Sequence, residues 1–426
     1  MIKIITPIIV LMLLSVTAAN NSYAQQVVSP VSQLGIGEPY TNIGFINTAT
    51  GAGGVSSWLN AANIENPASY SMMRYTTFEA NLGTDIHQYN TNAGKLNYSK
   101  TEFKQFSLAM PTTKGLGAVI AYMPYSRMGY AGVTNSVDVA GDSVQYTNAG
   151  KGGINRGTLG LSYKFVNDST FKLSSGFNIN ALFGEVLHQQ RNDYLKNTQK
   201  FGALYKQSSY YTGANATLGV QAQIIPKALR TIYFGTAFTL ETNAKTVVNN
   251  ELISYTTSGT TFVYKDTVAT ASNQASHTII PSTFTIGIAY GIKHASMLDA
   301  DKYYMSLNYT STAWKTSTFG TKATPFYDSK TISTAFIYNP QNGRKIRNNL
   351  RMGAKLAVQQ WYYAKSFNDY SATVSLGMPL PRSVSSLNIA YTIGSRKLLT
   401  TSKDTYHSIS IAVLLNDIWF IKPKVD

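Results

Sequence analysis

Residues 209–223 read SYYTGANATLGVQAQ. Tyr210, Thr212, Ala214, Ala216, Leu218, Val220 and Ala222 fall on one side, and Ser209, Tyr211, Gly213, Asn215, Thr217, Gly219 and Gln221 on the other. Successive side chains of a strand point to opposite faces, so this period of two specifies a β-strand with one apolar and one small polar face. The same division recurs at 171–183, where Phe171, Leu173, Phe177, Ile179 and Phe183 oppose Lys172, Ser174, Gly176, Asn178 and Asn180. It recurs at 283–293 and 371–378.

Alternation alone also suits a soluble β-sandwich, because both architectures give each strand one apolar face. The connections decide between them. Fourteen strands are expected near 76–84, 103–110, 115–126, 154–165, 170–187, 208–223, 230–246, 282–294, 302–314, 331–339, 349–361, 370–378, 386–394 and 405–416. Every second connection is compact, as at Pro111 to Lys114 and Val166 to Ser169. Those between are mostly longer, notably Arg127 to Gly153, His188 to Gln207 and Val247 to Pro281. Short turns alternating with long loops over an even strand count are the signature of an outer-membrane barrel. The expected fold is therefore all-β: a fourteen-stranded antiparallel transmembrane β-barrel over 74–426.

Composition agrees. Charged residues make up 13% of the 426 residues, against roughly 25% in ordinary soluble domains. There are 29 Tyr, 18 Phe and 32 Gly, yet mean hydropathy is only −0.10, so apolar groups are plentiful but interleaved. No stretch past the N-terminus reaches the roughly 18 apolar residues of a spanning helix. Residues 1–24 read as a signal peptide: Lys3 supplies the positive end, Ile4 to Val16 the apolar core, and Ser22-Tyr23-Ala24 the small-residue cleavage pattern. Residues 25–73 carry six glycines and little periodicity. A fourteen-strand barrel is wider than its own side chains fill, so this segment is expected to act as a hatch inside it.

Several charges fall on the polar register and are expected to face the lumen: Glu79, Arg156, Lys164, Glu241, Arg351 and Lys355. On the lipid face a charge near the midplane costs about 2–4 kcal/mol. In the lumen these groups either orient a substrate headgroup or pair with one another and the hatch. The five histidines show no ligand spacing, so neither a metal site nor a cofactor is expected, and no nucleophile motif indicates an enzyme. The formal charge is +16, but the basic residues are dispersed, which argues against nucleic acid. Lys95, Lys100, Lys104, Lys151, Lys196, Lys200, Lys206 and Lys265 lie in or beside the expected outer loops, where lipopolysaccharide phosphates are the natural counter-charge.

Asn66-Pro67-Ala68 before the first strand, Pro124-Tyr125-Ser126-Arg127-Met128-Gly129-Tyr130 after the third, Gly152-Gly153-Ile154-Asn155, Pro281-Ser282 and Asn416-Asp417-Ile418-Trp419-Phe420 occur in an order that resembles the outer-membrane long-chain fatty acid and aromatic hydrocarbon transporter family. The form is that of a divergent member from Bacteroidota. The resemblance implies fourteen strands, a hatch formed by the N-terminal segment, and lateral exit of apolar molecules from the lumen into the membrane. It also makes Asn66, Pro67 and Ala68 an architectural turn at the hatch–barrel junction. The lumen sets are Ser, Thr, Asn and Gly, which departs from the apolar pocket of typical members. The expected function is passive uptake of small hydrophobic or amphipathic molecules across the outer membrane. The alternative is a non-transporting barrel subunit of an outer-membrane assembly or secretion complex, with envelope proteins as partners.

Overall fold

The computed structural model describes residues 29–41, 44–51, 61–91, 94–112, 115–194, 200–227, 229–258, 261–294, 301–318, 326–340, 350–361, 367–381, 383–399, 402–417 and 419. The expected signal segment 1–24 lies outside them, as does Lys196. Fourteen antiparallel strands close into one barrel. They are β1 (Thr76–Thr91), β2 (Gly94–Pro111), β3 (Leu116–Val137), β4 (Ser143–Asn167), β5 (Phe171–Tyr194), β6 (Gly202–Lys227), β7 (Arg230–Thr239 and Thr242–Ser258), β8 (Thr261–Ile280 and Thr283–Lys293), β9 (Asp301–Thr312), β10 (Ser329–Tyr338), β11 (Arg351–Gln360), β12 (Asn368–Pro379), β13 (Ser386–Leu399) and β14 (Ser402–Asp417). Closure is made by β14 on β1, in register from Lys403↔Asn90 to Asp417↔Thr76. Both ends of the barrel strand series therefore lie at one rim, and neither the first nor the last strand is left with an open edge.

The distribution of side chains is inside-out relative to a soluble protein. Leu82, Phe106, Ile120, Leu159, Ile179, Leu218, Ile288, Leu307, Leu356, Val374 and Ile411 are exposed on the outer face. Glu79, Asn81, Ser107, Thr158, Asn178, Asn180, Thr217, Thr373 and Ser410 are buried inside. The inward groups satisfy one another across neighbouring strands, as in Ser410–Asn81 (2.7 Å), Thr158–Asn180 (2.8 Å) and Thr373–Thr392 (2.8 Å). A lipid-facing apolar band around a hydrogen-bonded polar interior is the distribution a transmembrane barrel requires.

The three segments expected to be long loops are mostly strand. β3 and β4 continue to a turn between Val137 and Ser143; β5 reaches Tyr194, with β6 resuming at Gly202; and the outer parts of β7 and β8 pair from Thr242↔Ile280 to Ser258↔Thr261. The physical reason is that beyond the lipid no face needs to be apolar. The period-two signal then disappears while Thr, Tyr and Val keep the ladder intact. Six strands thus project past the rim opposite the termini as one sheet.

The hatch occupies the lumen. It comprises a 3-10 turn (Pro30–Gln33), a two-residue strand (Glu38–Pro39), helix α1 (Phe45–Thr50) and a second 3-10 turn (Pro67–Met72). Helix α1 ends at Gly51, whose φ of 97° is the left-handed conformation that a Cβ disfavours.

Candidate functional site

The Asn66-Pro67-Ala68 turn is built from the wall inward. Asn66 caps it by accepting the Ala68 N–H (3.1 Å), and its amide donates to the Val220 carbonyl on β6 (3.3 Å). Ser174 on β5 donates to the Ala68 carbonyl (2.8 Å), Ser162 on β4 accepts the Ser71 N–H (2.7 Å), and the Tyr70 hydroxyl donates to Asn178 (3.0 Å). The backbones approach so closely that a Cβ on Gly117 would lie 2.4 Å from the Tyr70 carbonyl carbon, and one on Gly176 2.7 Å from that of Pro67. Glycine at these wall positions is therefore a packing requirement.

The lumen charges hold the hatch as well. Glu79 accepts the Phe45 N–H at the start of α1 (2.8 Å), and Arg156 meets Glu65 (Nη2–Oε1 2.7 Å). Lys164 lies near the rim that carries the termini, half-buried beside the β2–β3 turn at Gly115, and Arg351 borders Gly377 at that same end. Glu241 lies outside the regular strand register. It sits exposed at the break between the two parts of β7, accepting from Thr316 (2.8 Å), because that break reverses the in–out alternation. Lys355 is 4% exposed and points into the lumen, and among the described residues no carboxylate pairs with it. Lys100 and Lys104 are not surface groups: they turn inward and pair with Glu102 (2.5 Å) and Asp85 (2.8 Å).

Sequence reading missed the cluster nearest the far rim. Arg396, 2% exposed, donates from Nε to Asp404 (2.8 Å), from Nη1 to Glu38 (2.6 Å) and from Nη2 to the Ser29 hydroxyl (3.2 Å). A signal for it was present, since Glu38 and Glu65 are the only charged residues in 25–73 and both are ion-paired to buried arginines of the wall.

One seam of the wall is incomplete. β2 and β3 pair only from Phe106↔Tyr122 to Pro111↔Gly117. Above that, among the wall strands β2 pairs only with β1 and β3 only with β4, so the two part in the outer half of the apolar band. The cause is local: Pro124 has no N–H to donate, and a register shift between Pro124 and Ser126 bends β3 away. The hatch fills the parting from within. Glu38–Pro39 pairs with Arg127 and Ser126, the Tyr40 N–H reaches the Tyr125 carbonyl (2.9 Å), and the Tyr40 ring lies 5.8 Å from both Lys104 Nζ and Arg127 Cζ. Cavities of about 180 Å³ and about 120 Å³ flank Tyr40; the first is bordered by Glu38, Lys104, Lys355, Trp361 and Arg396, the second by Glu65, Tyr125, Arg156 and Trp314.

The BamG family model matches residues 1–426, the whole chain. The chain belongs to the BamG family. No curated protein matches it. Among solved structures, the Pseudomonas putida toluene transporter TodX is similar at 13% identity over 90% of this chain and 100% of its own, with a TM-score of 0.58. A Pseudomonas aeruginosa FadL homologue is similar at 13% identity over 89% and 99%, TM-score 0.56, and the CymD monoaromatic hydrocarbon channel at 13% over 93% and 99%, TM-score 0.53. These likenesses establish the fold alone: a closed antiparallel barrel, here with its N-terminal hatch in the lumen.

Proposed function

We propose that this BamG-family barrel is an outer-membrane channel for passive uptake of small hydrophobic or amphipathic molecules. The observation that carries the reading is the parted seam between β2 and β3, which opens toward lipid and is backed directly by the cavities beside Tyr40. A molecule entering from the far rim meets aromatic surface at Tyr40, Trp361 and Trp314, and at Lys355 a side-chain amine that no described carboxylate pairs with, for a polar end. Its apolar part then has a short lateral route, because burial in hydrocarbon gains about 25 cal/mol per Å² of apolar surface. No energy source is required for movement down a gradient.

The chain has no cysteine, so the seam can be locked selectively. With Glu102→Cys and Arg127→Cys bridged by a bis-thiol crosslinker whose spacer contains a disulfide, uptake of a fluorescent amphiphile into barrel-containing liposomes is expected to stop and to return on reductive cleavage of the spacer. Equal uptake in the bridged and cleaved states refutes lateral passage.

A second reading, a non-transporting subunit of an outer-membrane assembly or secretion complex, is favoured by the six-stranded sheet that projects beyond the membrane. Stoichiometric co-purification with other envelope proteins, combined with unchanged uptake on deletion of the chain, selects it.

A further inference from the structure

The β3 edge that borders the seam continues outward, past the hatch. At Gly129 the carbonyl accepts the Ser29 N–H (2.9 Å) and the N–H donates to Ser32 Oγ (3.0 Å), so both backbone groups point away from β4. The β3–β4 register then runs without a shift from Ser126↔Ile154 to Val137↔Ser143. In an antiparallel ladder, residues two apart direct their backbone groups to the same side. Ala131, Val133, Asn135 and Val137 therefore present their N–H and C=O groups outward, and among the described residues no other backbone meets them.

Neighbouring edges at this end are blunted and this one is not. The outer edge of β8 carries register shifts between Tyr264 and Asp266, Thr267 and Ala269, and Ala271 and Gln274, with Lys265 and Asp266 beside them and Asn273 at φ 56°. Across the seam, the β2 edge carries Lys95, Lys100, Glu102 and Lys104. Bulges and charges of this kind are how proteins prevent strand addition. From Met128 to Val137, β3 has no charge, no proline and no bulge, and Val133 and Val137 are 59% and 65% exposed.

We infer that Ala131–Val137 is a docking edge that takes up an extended segment of a different protein as an added strand. The hatch already uses the lower part of the same edge in this way, at Glu38–Pro39 and Ser29, so the added strand extends an existing row of hydrogen bonds. A second copy of this chain does not fit. Antiparallel pairing of two β3 edges would insert one copy upside down. A two-fold axis along the membrane normal would instead cross them at twice the usual strand tilt of roughly 35–45°. The partner segment is uncharged and has apolar residues at alternate positions, to lie beside Val133 and Val137. This inference is independent of whether small molecules pass through the lumen.

Two measurements test it on the full chain. Amide exchange of the 131–137 segment is expected to be slower by about tenfold or more in native outer-membrane vesicles than in the purified barrel, since a strand pairing protects amides. A photoreactive residue at Asn135 is expected to crosslink in cells to a protein of different mass, whereas one at Thr270 on the β8 edge does not. Val133→Pro deletes an outward N–H while leaving the β4 ladder whole, and Val137→Lys places a charge on the edge; both are expected to abolish the crosslink and the protection, with the heat-modifiable gel shift showing that the barrel still folds. Equal exchange in vesicles and in detergent, a crosslinked product of two copies, or protection that survives both substitutions overturns the inference.

Discussion

Arg127 on β3 and Glu102 on β2 meet across the parted seam, Nε to Oε2 at 3.3 Å, although their strands share no ladder hydrogen bond at that height. Glu102 also holds Lys100 at 2.5 Å, so the carboxylate keeps a partner if the arginine is removed. Side chains thus close an opening that the backbone leaves.

Arg127→Met should widen that opening. The pair is largely buried but Glu102 keeps Lys100, so its loss is expected to cost about 1–3 kcal/mol of stability, whereas efflux of a small amphiphile from barrel-containing liposomes rises several-fold. An efflux rate identical to that of the parent shows that the ion pair does not gate the seam.

Arg396→Met has the opposite profile, large in stability. Glu38 would lose its cation and the buried Asp404 would keep only the His87 ring nitrogen at 3.1 Å, and breaking a buried pair by removing one partner costs about 3–5 kcal/mol. The temperature at which the folded band on a denaturing gel converts to the unfolded one should fall markedly. The hatch should also become accessible to protease.

Gly117→Ala tests the cradle under the Asn66-Pro67-Ala68 turn. Its Cβ would sit 2.4 Å from the Tyr70 carbonyl carbon and 2.5 Å from the Ser71 nitrogen, both backbone atoms that cannot swing aside. A loss of about 1–3 kcal/mol is expected from overpacking, read as the same gel transition. Gly157→Ala is the control: the nearest atom there is a Phe183 ring carbon at 3.9 Å, and no measurable change is expected.

Deletion of Tyr406–Asp426 should abolish membrane insertion. It removes the β14 register from Tyr406↔His87 to Asp417↔Thr76 and leaves two open edges in lipid, each unpaired backbone group costing several kcal/mol. Deletion of residues 422–426 leaves that ladder whole and is expected to be tolerated. Outer-membrane fractionation separates the outcomes, and normal insertion of the longer deletion would contradict closure by β14.

By itself the sequence determined the barrel and its strand count within the lipid. There the solvent enforces a period of two on every strand, as in 209–223, and only a closed sheet satisfies the backbone. It also determined which charges could not face lipid, including Glu79, Arg156 and Lys355, and marked the Asn66-Pro67 turn by its capping chemistry. Outside the lipid that constraint lapses, so the strands over 127–137 and 247–258 are illegible as strands, and the break in β7 beside Glu241, which reverses the alternation, has no apolar partner to announce it. Partner choice lay entirely with the tertiary structure. Glu38 and Glu65 stand out as the hatch's two acids, but only the closed barrel brings Arg396, 358 residues away, onto Glu38. The parting of β2 from β3 is likewise a matter of register, which pairing geometry sets and composition does not record.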